Sequence, residues 1–295
     1  MENISRASKS RRLFYTPFKY IFSVIFRLII YRITGKELRW RTRLFWGAKA
    51  TIALPASTDL FLLGCKTHPS EIRLTRFILK NLKEGNFFAD IGSHIGFYSL
   101  LASFCVGKKG KVMSVEASPA SFLLLKSNIS KCPNIEAFNI ALSDQDEVVE
   151  FVEFPGSYTE YSTTEPEQFE GEPWFTTTPH NKILITAKPG DKLLERYAEM
   201  VTIIKIDVEG AEIRVIRGLK YYLDKMSPVV VMEFLSAKRN NASHREADNL
   251  LRSLGYSAYR IGDSGELFIL DESANDYIEN SDIESDNIVY RKQKT

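Results

Sequence analysis

An α/β fold, with a mostly parallel sheet covered by helices on both faces, is what this chain of 295 residues predicts. Three observations carry that expectation. Short apolar runs alternate with helical stretches from Pro69 to Leu254, the spacing of a parallel sheet. Three of those runs, Phe87–Ile91, Ile203–Ile206 and Pro228–Leu235, are near-continuously apolar, as strands buried on both faces are. The first run passes through a glycine turn, Gly92 to Gly96, into a helix expected to start near Ile95.

Taken in order, residues 1–12 are polar and basic, and are expected to be disordered. Leu13–Ile33 is very apolar but is interrupted by Lys19, Arg27 and Arg32. Its longest uncharged run, Tyr20–Phe26, is far short of the ~18–20 residues that span a bilayer, and no small-residue cleavage site follows. The stretch fits a monotopic helix on an anionic membrane surface, with Lys/Arg reaching headgroups and Phe/Ile/Tyr buried. It also fits an amphipathic helix packed on the domain or on a second protomer. Short strands are expected at Thr51–Leu54 and Leu60–Leu63, then a helix at Pro69–Lys83 with Ser70 as its cap.

After the glycine turn, Val112–Val115 reads as a strand ending at Glu116. Ser118-Pro119 starts a helix running to about Asn128, with Ser at the cap and Pro at the first position. Ile135–Ile140 is a third strand that continues into Asn139–Asp144. Glu147–Phe154 is strand-like, and Pro155–Thr178 is a long aromatic and polar stretch that reads as a substrate lid or a surface insertion. Ile183–Thr186 and Asp191–Met200 lead into Ile203–Ile206, which is followed by a helix at Val208–Tyr222. Pro228–Leu235 is a strand, His244–Leu254 a helix, and Ser257–Ile261, Glu266–Leu270 and Asn287–Tyr290 late strands around an acidic linker, Asp271–Asp286.

Apolar residues make up 44% of the chain and aromatics 12%, enough for a sizeable core and unlike a disordered composition. Cys65, Cys105 and Cys132 show no zinc or redox spacing; a sparse, odd set suits a reducing cytoplasm. The net charge of +2 conceals an asymmetry: residues 1–50 hold twelve Lys/Arg and two acids, a net +10, whereas the remainder holds 27 and 35, a net −8. The expected division is therefore a basic, apolar segment over residues 1–50 and a globular domain over 51–295. The acidic body argues against a nucleic-acid partner. A cytoplasmic protein, peripheral on the inner membrane face, is the localisation expected.

Acids end successive strands: Asp90, Glu116, Asp207 and Glu233. Carboxyl strand ends line the crevice in which open α/β sheets bind ligands. Glu116, 26 residues after Asp90, occupies the position that hydrogen-bonds ribose hydroxyls in nucleotide-binding folds. The turn reads G-x-x-x-G with a leading Asp. An acid there repels a pyrophosphate and favours an ammonium, so Asp90 and Glu116 together fit S-adenosylmethionine.

The sequence resembles the FkbM family of S-adenosylmethionine-dependent methyltransferases. The stretches that carry the resemblance are FFADIGSHIGFYSLLAS, VEASPASFLLLKSNI, NIALSD, IIKIDVEGAEIRVIRG and NIVY, in order over roughly residues 60–290. The resemblance implies a class I methyltransferase fold, a seven-stranded sheet with an antiparallel last strand. It places Asp90, Gly92 and Gly96 at the methionine portion of the cofactor, Glu116 at the ribose and Ser143-Asp144 at the adenine edge, with Asp207, Glu209 and Glu212 on the substrate side. Ser93-His94 replaces the small residue and Asn usual in the family's turn, and Gly190-Asp191 the usual Leu-Asp.

Methyl transfer to oxygen needs a hydroxyl that is deprotonated or losing its proton, and a base contributes ~10²–10⁴-fold. Asp207 is the candidate base. Glu209 and Glu212, three apart, would share one helix face, where acids also serve simply to balance the dipole. Asp207, Glu209 and Glu233 could hold Mg²⁺. His94 and His180 are alternative bases, and Lys205, inside a strand, would pair with Glu233 or Asp90. The function expected is O-methylation of a sugar hydroxyl on a glycan, glycolipid or glycosylated metabolite, the sugar resting on the resemblance. Two alternatives remain: a nicotinamide-dependent oxidoreductase, which lacks its G-x-G-x-x-G turn, and a catalytically silent membrane-docked scaffold.

Overall fold

The computed structural model describes residues 16–197 and 200–292; the expectation for residues 1–12 lies outside them. The strands among the described residues are, in chain order, β1 Leu38–Arg43, β2 Lys49–Leu54, β3 Phe87–Ile91, β4 Lys111–Val115, β5 Ile135–Phe138, β6 Ala141–Ser143, β7 Glu147–Glu153, β8 Asn181–Pro189, β9 Ile203–Ile206, β10 Val229–Leu235, β11 Tyr256–Ile261, β12 Leu267–Ile269 and β13 Ser285–Lys292. Eight form the central sheet in the order β12-β11-β13-β10-β9-β3-β4-β5. From β5 to β10 all pairings are parallel. β13 inserts antiparallel between β10 and β11.

This is the class I methyltransferase sheet with one strand more than expected. The eighth is β12, a short edge strand that returns antiparallel along β11. The two parallel strands at the centre bury both faces, and alternate residues belong to opposite cores. Phe88 and Ile203 join one core, with the helices Pro69–Asn81, Phe97–Val106 and Pro119–Ile129. Phe87, Ala89, Ile204 and Ile206 join the other, with the helices Glu212–Gly218, Lys220–Met226 and Ala242–Ser253.

Several local expectations are corrected. Leu60–Leu63 lies in a helix, Thr58–Leu63, because the Asp59 carboxylate accepts the Leu60 N–H and Gly64 closes the last turn at φ 66°. So short an apolar run has no period that tells helix from strand. Ser70 is not the cap of its helix; Pro69 is the first residue, and the Ser70 hydroxyl lies 2.6 Å from His68 Nδ1. Val208–Tyr222 is a turn and two helices: Glu209 (φ 51°) and Gly210 (φ 104°) leave helical space, so the helix starts at Glu212 and breaks at Leu219. The stretch after Ile135 divides, because the Asn139 amide donates to Glu116 O (2.8 Å) and Ala117 O (3.0 Å) and turns the chain into a second sheet, β6-β8-β7. The acidic linker contains a helix, Ala274–Asn280, capped by Ser273.

At the N-terminal end, Pro17–Ile25, a wide turn Phe26–Ile30 and Tyr31–Thr34 run as one helical segment, ended by Gly35 at φ 63°. Its Phe22 ring packs 5.8 Å from Phe61. The β1-β2 hairpin that follows straddles residue 50. Among the described residues, no helix is long and apolar enough to cross a membrane.

Candidate active site

The turn after β3 is built from backbone contacts. Gly92 stands at φ 76°, and a Cβ there would lie 1.7 Å from the Asp207 carbonyl oxygen, so the ends of β3 and β9 meet over a bare backbone. The Gly92 and Ser93 amides both donate to Val115 O, and the Ser93 hydroxyl donates to Asp90 O at 2.7 Å. His94, at φ 49°, turns its N–H to Glu116 Oε2 at 2.6 Å. The other Glu116 oxygen accepts the Ser118 N–H at 2.8 Å. Ser118 caps its helix as expected, its side chain accepting from the Ser121 N–H.

A cavity of about 650 Å³ opens beside this turn, within the usual range for small-molecule sites. Gly92, His94, Glu116, Asp207, Glu209 and Glu233 line it, with Asp59, Lys66, Glu160, Tyr161 and Arg239. Burial pushes the Glu116 carboxyl up to about 7, despite its two amide donors. Burial likewise raises Asp59 to about 6, against the pull of Lys66.

Asp207, Glu209 and Glu233 bring their carboxylates within 4.8 Å of one another. Three charges cannot sit so close unneutralised. Burial works to raise Asp207, but Lys205, its ammonium 3.0 Å away, together with a Glu233 hydrogen bond and Lys66, holds Asp207 below the ordinary range. Burial and the Asp207 charge push Glu209 and Glu233 well upward, so these two carry the protons. The same oxygens form a donor set that a hard cation such as Mg²⁺ accepts.

Asp90 stands behind the cavity wall. It is buried, takes a hydrogen bond from Ser99 Oγ at 2.6 Å through Oδ2, and its Oδ1 makes none among the described residues. Lys205 lies 3.8 Å from that oxygen, so the positive charge Asp90 faces belongs to this chain's own lysine. Lys205 therefore pairs with Asp90, as expected, and more closely with Asp207; its ammonium is held above its usual value by Asp207 and Asp90 against the cost of burial.

Other expected residues stand elsewhere. A Cβ on Gly96 would meet Leu125 at 2.6 Å, so that glycine lets two helices pack. Ser143 and Asp144 border a network around Arg214, which binds Asp144, Glu147 and Glu165; Ile140, Ala141 and Leu142 line the cavity at that end. Glu212 is buried away from the cavity, 3.4 Å from His244 Nε2 and accepting the Gly210 N–H. His180 is exposed and stacks on Phe175. His94 reaches the cavity, and burial keeps its ring below its usual value, hence neutral.

The long connection between β7 and β8 forms one wall. Its aromatic residues pack around Trp174, stacked on Tyr158 at 4.5 Å and touching Phe154, Tyr161 and Phe169. This packing presents Glu160, which accepts from Lys66 at 2.9 Å and lies 3.8 Å from His94 Nδ1. Burial would raise Glu160, but the Lys66 ammonium holds it below the ordinary range. Sequence reasoning missed Lys66, Glu160, Tyr161 and Arg239. No motif marks them, and the one signal available was the aromatic density of residues 158–175.

The family profile described as methyltransferase FkbM domain matches residues 90–258. The chain belongs to the FkbM methyltransferase family. A curated relative, the hexuronic acid methyltransferase AglP of Haloferax volcanii, is 24% identical over 158 residues, which cover 53% of this chain and 59% of that protein. The match thus spans under two thirds of the relative's length. Among solved structures, a methyltransferase FkbM from Methylobacillus flagellatus KT aligns with TM-score 0.44 and 15% identity, over 80% of this chain and 52% of that one. A SAM-dependent O-methyltransferase from Thermotoga maritima aligns with TM-score 0.40 and 13% identity, over 90% and 82%.

Proposed function

We propose that this FkbM-family chain is an S-adenosylmethionine-dependent O-methyltransferase acting on a sugar hydroxyl of a glycan, glycolipid or glycosylated metabolite. The observation that carries the reading is Glu116. It follows β4 directly on the cavity wall, and backbone amides from the glycine turn and from Ser118 fix both its oxygens. Each oxygen keeps a lone pair for a ribose hydroxyl. Beside it, the Gly92–His94 turn, held against the Asp207 backbone, lines the cavity where the methionine end of the cofactor would lie. When bound, S-adenosylmethionine supplies the electrophilic methyl group.

The chain's own part is to hold the acceptor hydroxyl and take its proton. Asp207, ionised beside Lys205, is the acceptor of that proton, and the protonated Glu209 and Glu233 beside it position it within the same cluster. A methylated oxygen loses its proton as the new bond forms, so a fixed acceptor lowers the barrier. The hydroxylated, polar lining contributed by Ser157, Thr159 and Ser162 suits a sugar. The name of the Haloferax relative supports the same acceptor class.

Calorimetric titration of S-adenosylhomocysteine tests the reading, beside Glu116→Ala and with NADH as a control. Micromolar binding to the wild type that Glu116→Ala weakens at least tenfold is expected. Failure of the folded wild type to bind would overturn the proposal, and NADH binding in its place would indicate hydride chemistry.

A further inference from the structure

The helical segment from Pro17 to Thr34 has two faces, and packing on the domain core accounts for one. On the inner face, Phe22 packs 5.8 Å from Phe61, Ser23 and Phe26 are buried, and Lys19 donates to Phe61 O. The wide turn at Phe26–Ile30 matters here. It lets Phe26 and Tyr31, five apart, both face inward, because a π-turn holds more residues than an α-turn.

The outer face is apolar and bare. Phe18 (87% exposed), Ile21, Ile25, Leu28 (61%), Ile29 and Ile33 (79%) follow one another at helical spacing. Soluble surfaces rarely carry so continuous an apolar stripe without a partner. Trp40 on β1 is also exposed. Arg39, Arg41 and Arg43 alternate along the same strand, and Arg32 and Lys36 close the segment, all of them exposed.

We infer that this face docks on an anionic lipid bilayer and that the acceptor is presented from that surface. The choice of a bilayer rests on charge: residues 1–50 carry a net +10, so a two-fold contact through this face would bring like charge to the stripe, whereas acidic headgroups match it. The geometry joins the docking face to the site. Arg27, on the same segment, stands on the cavity wall. Glu37 accepts the Gly156 N–H at 2.7 Å, and Gly156 opens the turn that carries Glu160 and Tyr161 into the cavity. A Cβ at Gly156 would collide with the Tyr31 hydroxyl, so the segment and the cavity wall are packed without a gap. Presentation of the acceptor rests on the methyltransferase reading; docking does not.

The test is co-sedimentation of the full chain with vesicles of phosphatidylglycerol and phosphatidylcholine, against phosphatidylcholine alone. The comparison includes Leu28→Glu/Ile29→Glu and Arg39→Glu/Arg41→Glu, both at exposed positions. Salt-sensitive binding to the anionic vesicles is expected, nearly abolished in the first variant and reduced in the second by roughly fivefold or more per charge changed. Both variants should bind S-adenosylhomocysteine as the wild type does, which separates loss of docking from loss of the cofactor site. Absence of wild-type binding to anionic vesicles, or binding unchanged in Leu28→Glu/Ile29→Glu, overturns the inference. So does a wild-type dimer that the same variant dissociates, since a second copy would then cover the stripe.

Discussion

At the residue scale, Asp207 and Glu209 are two positions apart and are set in opposite charge states by their neighbours. Lys205 keeps Asp207 ionised, while burial and the Asp207 charge keep Glu209 protonated. Asp207→Asn is therefore expected to lower kcat by ~10²–10⁴-fold with little change in affinity for S-adenosylhomocysteine, since Asn keeps the shape but accepts no proton. A wild-type kcat in that variant would remove Asp207 from the chemistry. The matching change Glu212→Gln acts on a carboxylate that faces His244, not the cavity, and should appear as lost stability with kcat retained.

At the scale of elements, the connection between β7 and β8 is ordered by aromatic packing, with one β-bridge, Thr163 to Val152, tying it to β7. Trp174 touches Tyr158, Tyr161, Phe154, Phe169 and Phe175. Truncating so central an aromatic side chain typically costs ~3–5 kcal/mol where it is fully buried. Trp174 is half-buried, so the loss at Trp174→Ala should stay local. We expect faster proteolysis between Pro155 and His180, a raised KM for the acceptor and S-adenosylhomocysteine affinity within about twofold of wild type. Limited proteolysis and the two affinities check this; an unchanged acceptor KM would make the connection a surface ornament.

For the molecule as a whole, the cluster of carboxylates gives stability a definite pH dependence. Glu116 is raised to about 7 and Asp59 to about 6 in the folded chain. Folded protein thus binds more protons than unfolded protein between their ordinary values and these raised ones. The Glu116 contribution is fully present below about pH 4.5 and is lost as pH climbs through about 7, amounting to about 3 kcal/mol at most, and that of Asp59 is lost between its ordinary value of 3.8 and about 6. The lowered Asp207 and Glu160 act oppositely, losing their contribution only as pH falls below the ordinary carboxylate range. The melting temperature of the ligand-free protein should fall from about pH 5 to about pH 8, and Glu116→Gln should flatten that slope. An identical slope in the variant would show that Glu116 does not titrate in this window.

Much of the fold was legible because it is written in local periodicity. The run Phe87–Ile91, bounded by a turn on one side and the glycine turn on the other, reads as a strand covered on both faces, and Ser118-Pro119 carries the cap and first-turn residues of a helix. The acids at the strand ends could likewise be placed by position alone, and Glu116, Asp207, Glu209 and Glu233 do meet in one cavity. What only the tertiary structure decided were questions of direction and of distant partners. Glu209 faces the cavity and Glu212 does not, because Glu209 and Gly210 take positive φ and the helix begins after them. Of the two partners expected for Lys205, Glu233 and Asp90, parallel pairing selects Asp90, which it sets opposite Lys205 115 positions away. Lys66, Glu160 and Arg239 reach the site from three separate segments. Side-chain periodicity within an element is a short-range property of the backbone; the charge that finally neutralises a buried acid comes from wherever packing brings the nearest cation, and no spacing along the chain encodes that.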